Sequence, residues 1–354
     1  MNNTRNPILC IIPPHMLEKI IEKGNEKMRY MALKTLERSN HIRMERSLIQ
    51  EHPFAHLSAF ATASQSTTAK CCKVYDAHHT DDLPGDIARS DGDPPTGDTA
   101  IDEAFDGGTT TYKFYLDNYG RNSIDDNGMC IIQTVHYGED YNNAFWNGRQ
   151  MVYGDGDDEL FTRFTLDLDI IGHELTHGVI QHEANLRYMD QSGALNESYA
   201  DVFGSLVKQY KLGQKSKEAD WLIGKQVLKG GKYALRSMKA PGTAYKNHPV
   251  LGDDPQPATM DDYYDLPAWQ DNGGVHLNSG IPNHAFYLAA VNIGGNAWEK
   301  AGLIWYIALT DVLRSNTTFS KTAYATIRIA QQKYGKDSLE AKAVKQAWRD
   351  VKVI

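Results

Sequence analysis

Long apolar runs are absent from this chain of 354 residues. The most apolar stretch near the start, residues 8–12, runs straight into Pro13-Pro14, whereas a secretory signal needs a core of roughly 7–15 apolar residues and a spanning helix about 20. No classical signal peptide and no membrane span are therefore expected, so the precursor should begin in the cytoplasm and leave by a non-classical route. Cysteine is scarce as well. Cys10, Cys71, Cys72 and Cys130 show no metal-type pair spacing, and the adjacent two cannot readily bridge each other, so a disulfide scaffold is not expected. Cationic charge is in deficit, with 37 Lys and Arg against 45 Asp and Glu, which argues against nucleic acid as a partner. The deficit is uneven. Residues 1–51 hold nine cations and six anions (+3), leaving 28 against 39 (−11) for the remaining 303 residues. The two parts should attract each other weakly in salt, unless the leader merely happens to be basic.

Between residues 16 and 47 the apolar positions Leu17, Ile20, Ile21, Met28, Met31, Ala32 and Leu36 recur at helical spacing, with a break near Gly24 and a proline start signal at Pro13-Pro14. Residues 52–70 turn to Ala, Ser, Thr and Gln, the composition of a cleavable linker. Residues 71–165 are rich in Gly, Asp, Tyr and Thr, and the runs 110–116 and 129–137 read as strands between turn signals. From residue 167 onward helical periodicity dominates, over 167–185, 195–210, 280–293, 297–313, 319–334 and 337–350. The fold class expected is α+β with segregated lobes. The domains are a propeptide at 1–60 with its linker to about 70, a strand-rich lobe at 71–185 and a helical lobe at 186–354.

His173-Glu174-Leu175-Thr176-His177 sits inside an apolar helical pattern that includes Ile170, Ile171, Val179 and Ile180. Histidines four apart share one helix face and can grip one metal ion. Glu174 then stands beside that ion, able to take a proton from water there and deliver it to a leaving amine. Zinc suits the task because it polarises a carbonyl without redox chemistry. So short a motif also arises by chance, which makes the next helix informative. There Glu197 and Asp201 share a face opposite the apolar Leu195, Tyr199, Val202, Phe203 and Leu206. Glu197 would complete a His, His, Glu set with one open position, and Asp201 could accept the other ring N–H of a ligand histidine. A solvated acidic stripe is the weaker alternative.

Together with residues 74–77 (Val-Tyr-Asp-Ala), 141–148 (Tyr-Asn-Asn-Ala-Phe-Trp-Asn-Gly) and 151–157 (Met-Val-Tyr-Gly-Asp-Gly-Asp), these motifs resemble the thermolysin family of zinc metallopeptidases over residues 74–354. The resemblance implies a two-lobed peptidase with zinc in the cleft between the lobes, acting on peptides and proteins as a monomer. It implies that His276, oriented by Asp271, and Tyr188 stabilise the oxyanion. It further implies that the backbone groups of Asn143 and Ala144 hold a substrate as an added strand, and that Arg236 grips a substrate carbonyl. Phe161, Phe164, Ile170, Ile223, Val227 and Leu235 would line the primary pocket, implying cleavage on the amino side of bulky apolar residues. Taken without the resemblance, those six read as core, His276 as a loop histidine and Tyr188 as a core aromatic.

Three departures matter. The family's double calcium site falls on Asp169, Lys208, Asp220, Leu222 and Lys225, which leaves two carboxylates and adds two ammonium groups, so calcium is not expected there. The acidic run 155–159 lacks the spacing of a helix-loop-helix calcium site, and the longer insert at 241–269 leaves specificity on that side open. The leader is short and carries Pro13-Pro14-His15-Met16-Leu17, which resembles the protealysin-like branch. This implies a propeptide that occupies the cleft as an intramolecular inhibitor and is removed by the enzyme itself. Cys10 suggests a rival switch in which its thiolate ligates zinc, but its apolar surroundings favour simple packing. A non-catalytic zinc module and a zinc enzyme acting on esters or lipids are the other classes considered. Glu174, Tyr188 and His276 disfavour the first, and Asn143, Ala144 and Arg236 the second.

Overall fold

A computed structural model describes residues 9–51 and 70–354. The expected linker at 52–70 lies almost entirely outside the described residues. The leader supplies β1 (Leu9–Cys10) and the helices α1 (Pro14–Lys23) and α2 (Glu26–Glu51), separated at Gly24 as the periodicity requires. β2 (Cys72–Asp76), β3 (Asp86–Ser90), β4 (Ile131–Val135), β5 (Ala144–Trp146) and β6 (Met151–Tyr153) join β1 in one six-stranded sheet of order β1-β5-β6-β4-β2-β3. The leader is thus a strand of the body's own sheet, antiparallel to β5, with Leu9 opposite Trp146 and Cys10 opposite Phe145.

The run 110–116, expected as a strand, is instead part of the helix α3 (Thr99–Tyr119). Its three consecutive threonines favour β structure only weakly. Capping decides the outcome, because the Asp98 carboxylate accepts the amides of Ala100 and Ile101, and Gly120 ends the helix at φ 69°. α3 buries Ala104, Phe105, Phe114 and Tyr115, which supplies the apolar contact that overrides propensity.

The cysteine expectation is also corrected. Cys71 and Cys130 form a disulfide, joining the residue before β2 to the residue before β4. These strands run parallel, with Cys72 opposite Ile131, and that register brings together two cysteines 59 residues apart.

The remaining elements are mostly helical. α4 (Leu168–His182) and α5 (Asp190–Leu212) are followed by the short hairpin β7 (Leu222–Ile223) with β8 (Arg236–Ser237). Then come α6 (Asp271–Asn278), α7 (Gly280–Ile293), α8 (Ala301–Ile307) with a wider π turn over Ala308–Val312, α9 (Phe319–Tyr334) and α10 (Leu339–Asp350). α4 and α5 cross closely through Gly172 and Gly204, where a Cβ on Gly204 would stand 2.4 Å from the Asp169 carbonyl oxygen. This approach brings the acidic face of α5 up to the histidines of α4. Among the described residues no helix is long and apolar enough to cross a membrane.

Candidate metal centre and substrate cleft

His173 and His177 project from the same face of α4, and Glu197 from the facing side of α5, all essentially inaccessible to solvent. The Nδ1 of His173 lies 2.8 Å from Asp201 Oδ1, and that of His177 lies 2.9 Å from Asn196 Oδ1. Both partners are acceptors, so each Nδ1 carries the proton and each Nε2 presents a lone pair. The two Nε2 atoms face each other at 3.0 Å, with Glu197 oxygens 3.6 and 3.5 Å away. Glu197 Oε2 is buried with no hydrogen-bond partner. Opposed lone pairs and an unsatisfied carboxylate oxygen are costly when dry, and a divalent cation relieves both. The donor set therefore fits zinc.

Asp201 is held from several sides. Burial alone would raise its pKa, but the Arg236 guanidinium and His173 hold the carboxyl well below the usual carboxylate range. Arg236 donates to both Asp201 oxygens at 2.9 and 2.8 Å, and Asn283 donates to Oδ2 at 2.8 Å. Replacing Asp201 with asparagine should weaken zinc binding about 10–100-fold, measured by competition with a chromophoric chelator. Unchanged affinity would remove Asp201 from the centre's support.

Glu174 is wholly buried. Its Oε2 accepts the Trp146 amide at 3.0 Å and its Oε1 has no partner. Burial, then the neighbouring Glu197 charge, push its pKa well above the ordinary carboxylate value. Tyr188 hydrogen-bonds to Glu197 and lies 2.9 Å from His276 Nε2. His276, expected in a loop, sits in the helical turn of α6. That turn follows Asn272, Gly273 and Gly274, which have φ of 51°, 82° and 82°. These left-handed residues fold Asp271 back, so that its Oδ1 lies 2.5 Å from His276 Nδ1 and its Oδ2 accepts the His276 amide at 3.0 Å. Burial would lower the His276 pKa, but Asp271 and Glu197 prevail and raise it.

The cleft is filled by the leader. The Ile11 amide donates to the Ala144 carbonyl at 3.2 Å, and the Ile11 carbonyl accepts from Arg236 Nη1 at 3.0 Å. The Ile12 amide donates to Asn143 Oδ1 at 3.0 Å, so Asn143 uses its side chain here rather than its backbone. The Cys10 carbonyl oxygen lies 3.3 Å from His276 Nε2. The Cys10 side chain is buried in an apolar cluster with Tyr137, Tyr141 and Phe145, and it is not in the metal-ligand group. Further along, Arg38 pairs with Asp81 at 2.8 Å, and Lys34 and Lys27 approach Glu139 and Asp140 at 3.9 Å, placing the leader's positive charge against acids of the body. Phe161, Phe164, Ile170, Ile223, Val227 and Leu235 are all buried in the main core.

At the expected calcium position, Lys208 Nζ lies 2.6 Å from Asp169, 3.2 Å from Asp220 and 2.7 Å from the Leu222 carbonyl. Lys225 approaches Asp220 at 3.5 Å. Asp157, from the acidic run, accepts the amides of Glu159, Leu160 and Phe161 on a single oxygen. Three contributors carried no signal in the sequence, namely Asn196, Asn283 and Gln256, whose Nε2 donates to the His276 carbonyl at 2.7 Å. Of these, Asn196 could have been sought as the neighbour of Glu197 on the same helix.

Residues 54–181 match the thermolysin metallopeptidase catalytic domain, and residues 184–353 match the thermolysin metallopeptidase alpha-helical domain. The chain belongs to the thermolysin family. It is a zinc-dependent metalloendopeptidase with the fold of that family, a strand-rich lobe followed by a helical one. It is 47% identical over 350 residues to an extracellular metalloprotease of Pectobacterium carotovorum subsp. carotovorum, covering 98% of this chain and 97% of that protein. It is 46% identical over 344 residues to the protease PrtS of Photorhabdus sp. (strain Az29), covering 96% and 91%. Among solved structures, the precursor of protealysin, a metalloproteinase from Serratia proteamaculans, superposes with a TM-score of 0.87 at 47% identity, covering 98% of this chain and 100% of the other. This thermolysin-family chain is protealysin-like in particular.

Proposed function

We propose that the chain is the latent form of an endopeptidase that cuts on the amino side of bulky apolar residues, with residues 1–60 as its inhibitory propeptide, joined through a linker to about residue 70. The lobes then run over 71–185 and 186–354. The observation that carries this reading is the way Ile11 is held, with its N–H on the Ala144 carbonyl and its C=O on Arg236. An extended substrate adding a strand to β5 would be held in the same way. In that register the Cys10–Ile11 peptide occupies the place of the cut bond, and Ile11 takes the place of the bulky apolar residue after it.

Zinc bound by His173, His177 and Glu197 supplies a Lewis acid that polarises the carbonyl and activates water near neutral pH. Glu174 takes the proton of the attacking water on its unpartnered Oε1 and passes it to the leaving amine. Its raised pKa suits both duties. Tyr188 and His276 donate to the developing oxyanion, and Asp271 fixes the His276 ring. Arg236, locked against Asp201, positions the residue after the cut bond. The test is a set of peptides differing only at that residue, digested by the mature enzyme and read by mass. Cleavage before Leu, Ile or Phe should exceed cleavage before Asp or Gly by about 10–100-fold, vanish with a chelator and return with zinc. Preferential cutting before acidic or small residues would overturn the specificity.

Two further parts of this reading concern environment and ions. The mature enzyme acts outside the cell. The extracellular description of the Pectobacterium relative supports this, as does the Cys71–Cys130 bridge, since such bonds persist in oxidising compartments. In place of the family's double calcium site, Lys208 and Lys225 supply the positive charge. Replacing Lys208 with methionine leaves the buried Asp169 without its cation. It should cost about 3–5 kcal/mol, seen as a fall in the thermal midpoint, while added calcium leaves the wild-type midpoint unchanged. A midpoint that climbs with calcium would contradict the exchange.

A further inference from the structure

The described residues hold a second group of metal-ligating side chains, away from the catalytic centre. His79 and His136 lie with Asp155 so that one ligand atom from each falls within 4.8 Å of the other two. His136 Nδ1 is 2.9 Å from Asp155 Oδ2, and His79 Nδ1 is 3.4 Å from the same oxygen. On the far side of the His136 ring, Nε2 is 3.3 Å from Asp98 Oδ2. We propose that His79, His136 and Asp155 form a second zinc site, with Asp98 as the acceptor that orients His136.

The arrangement repeats that of the catalytic centre, where a carboxylate holds the other nitrogen of a ligand histidine and so fixes its tautomer. Two imidazoles and one carboxylate suit zinc or a similar borderline cation rather than calcium, which prefers an all-oxygen shell. The two loops are already registered for it, since the His79 amide donates to the His136 carbonyl at 2.8 Å and the Gly138 amide to the Thr80 carbonyl at 2.9 Å. His78 is no competitor, because its ring is engaged by Asp76 and Asp86, each at 3.2 Å. His79 is 61% exposed, which leaves room for water to complete the shell.

The same two loops carry Asp81, Glu139 and Asp140, the acids that meet Arg38, Lys34 and Lys27 of the leader. A cation tying the loops together braces the surface on which the leader docks. The rival reading is a plain ion pair in which His136 bridges Asp155 and Asp98 with no metal.

The test is a zinc titration of the full-length Glu174→Ala chain, in which self-cleavage does not blur the protein concentration, against the same chain carrying His79→Gln. The exposed His79 side chain can be changed without disturbing the core. The difference between the two chains is read rather than the total, so a failure at the catalytic centre cannot be mistaken for a failure here. One fewer zinc per chain with His79→Gln, and about 10–100-fold weaker binding of that same equivalent with Asp98→Asn, is expected. Identical titrations for the parent and the His79→Gln chain would leave the cluster as an ion pair and overturn the proposal.

Discussion

A chain carrying Glu174→Ala stays at full length, folds, keeps its zinc and loses peptide hydrolysis by a factor of about 10²–10⁴, the usual worth of a positioned general acid and base. The side chain makes a single hydrogen bond, to the Trp146 amide, and leaves its other oxygen buried and unsatisfied. Such a group is retained for chemistry and at a cost to stability. Removing it should therefore leave the thermal midpoint unchanged or raise it. Mass measurement after incubation, hydrolysis of a reporter peptide and elemental analysis of the same samples give the three readings together. Processing of the purified variant at the wild-type rate would show that the chain does not cut itself and that another protease removes the leader.

Ile11→Asp should have the opposite result, a full-length precursor that hydrolyses peptides without prior processing. Ile11 is fully buried, and burying an isoleucine side chain is worth about 1.5–3 kcal/mol. A carboxylate in its place would enter a dry cleft that already holds Glu174 and Glu197, at a further cost of several kcal/mol. Each 1.4 kcal/mol is a tenfold shift in the docking equilibrium, so the leader should undock by a factor of a thousand or more. Glu18→Gln, on the exposed face of α1, provides the control and should change nothing. Activity is followed while gel analysis still shows the intact chain. A folded, full-length Ile11→Asp precursor as silent as wild type would remove the leader from its inhibitory role.

The metal ligands were legible because their information is local. Four-residue spacing on α4 aligns His173 with His177 whatever the rest of the chain does, and the same spacing on α5 aligns Glu197 with Asp201. The leader's helices and the helical lobe were legible for the same reason, and the leader's charge found the acids that the imbalance implied. What escaped depends on contacts distant in sequence. The Cys71–Cys130 pair needs the parallel register of β2 and β4. The helix over 110–116 needs the Asp98 cap and an apolar surface to bury against, neither of which is visible within the run itself. Asn196, Asn283 and Gln256 are amides with no periodicity to betray them, and they matter only because a ligand or its support lies within reach. The seating of Ile11 against Ala144 and Arg236 is a docking result, which no local pattern within residues 9–12 could announce.

The bridge at Cys71 sets a limit on what happens after the leader goes. β2 begins one residue later and lies between β3 and β4, so the fresh amino end is bolted to the sheet almost where it starts. Ragged trimming of the tail ahead of it can proceed without unravelling the strand behind, and a population of molecules with uneven ends can still share one catalytic architecture.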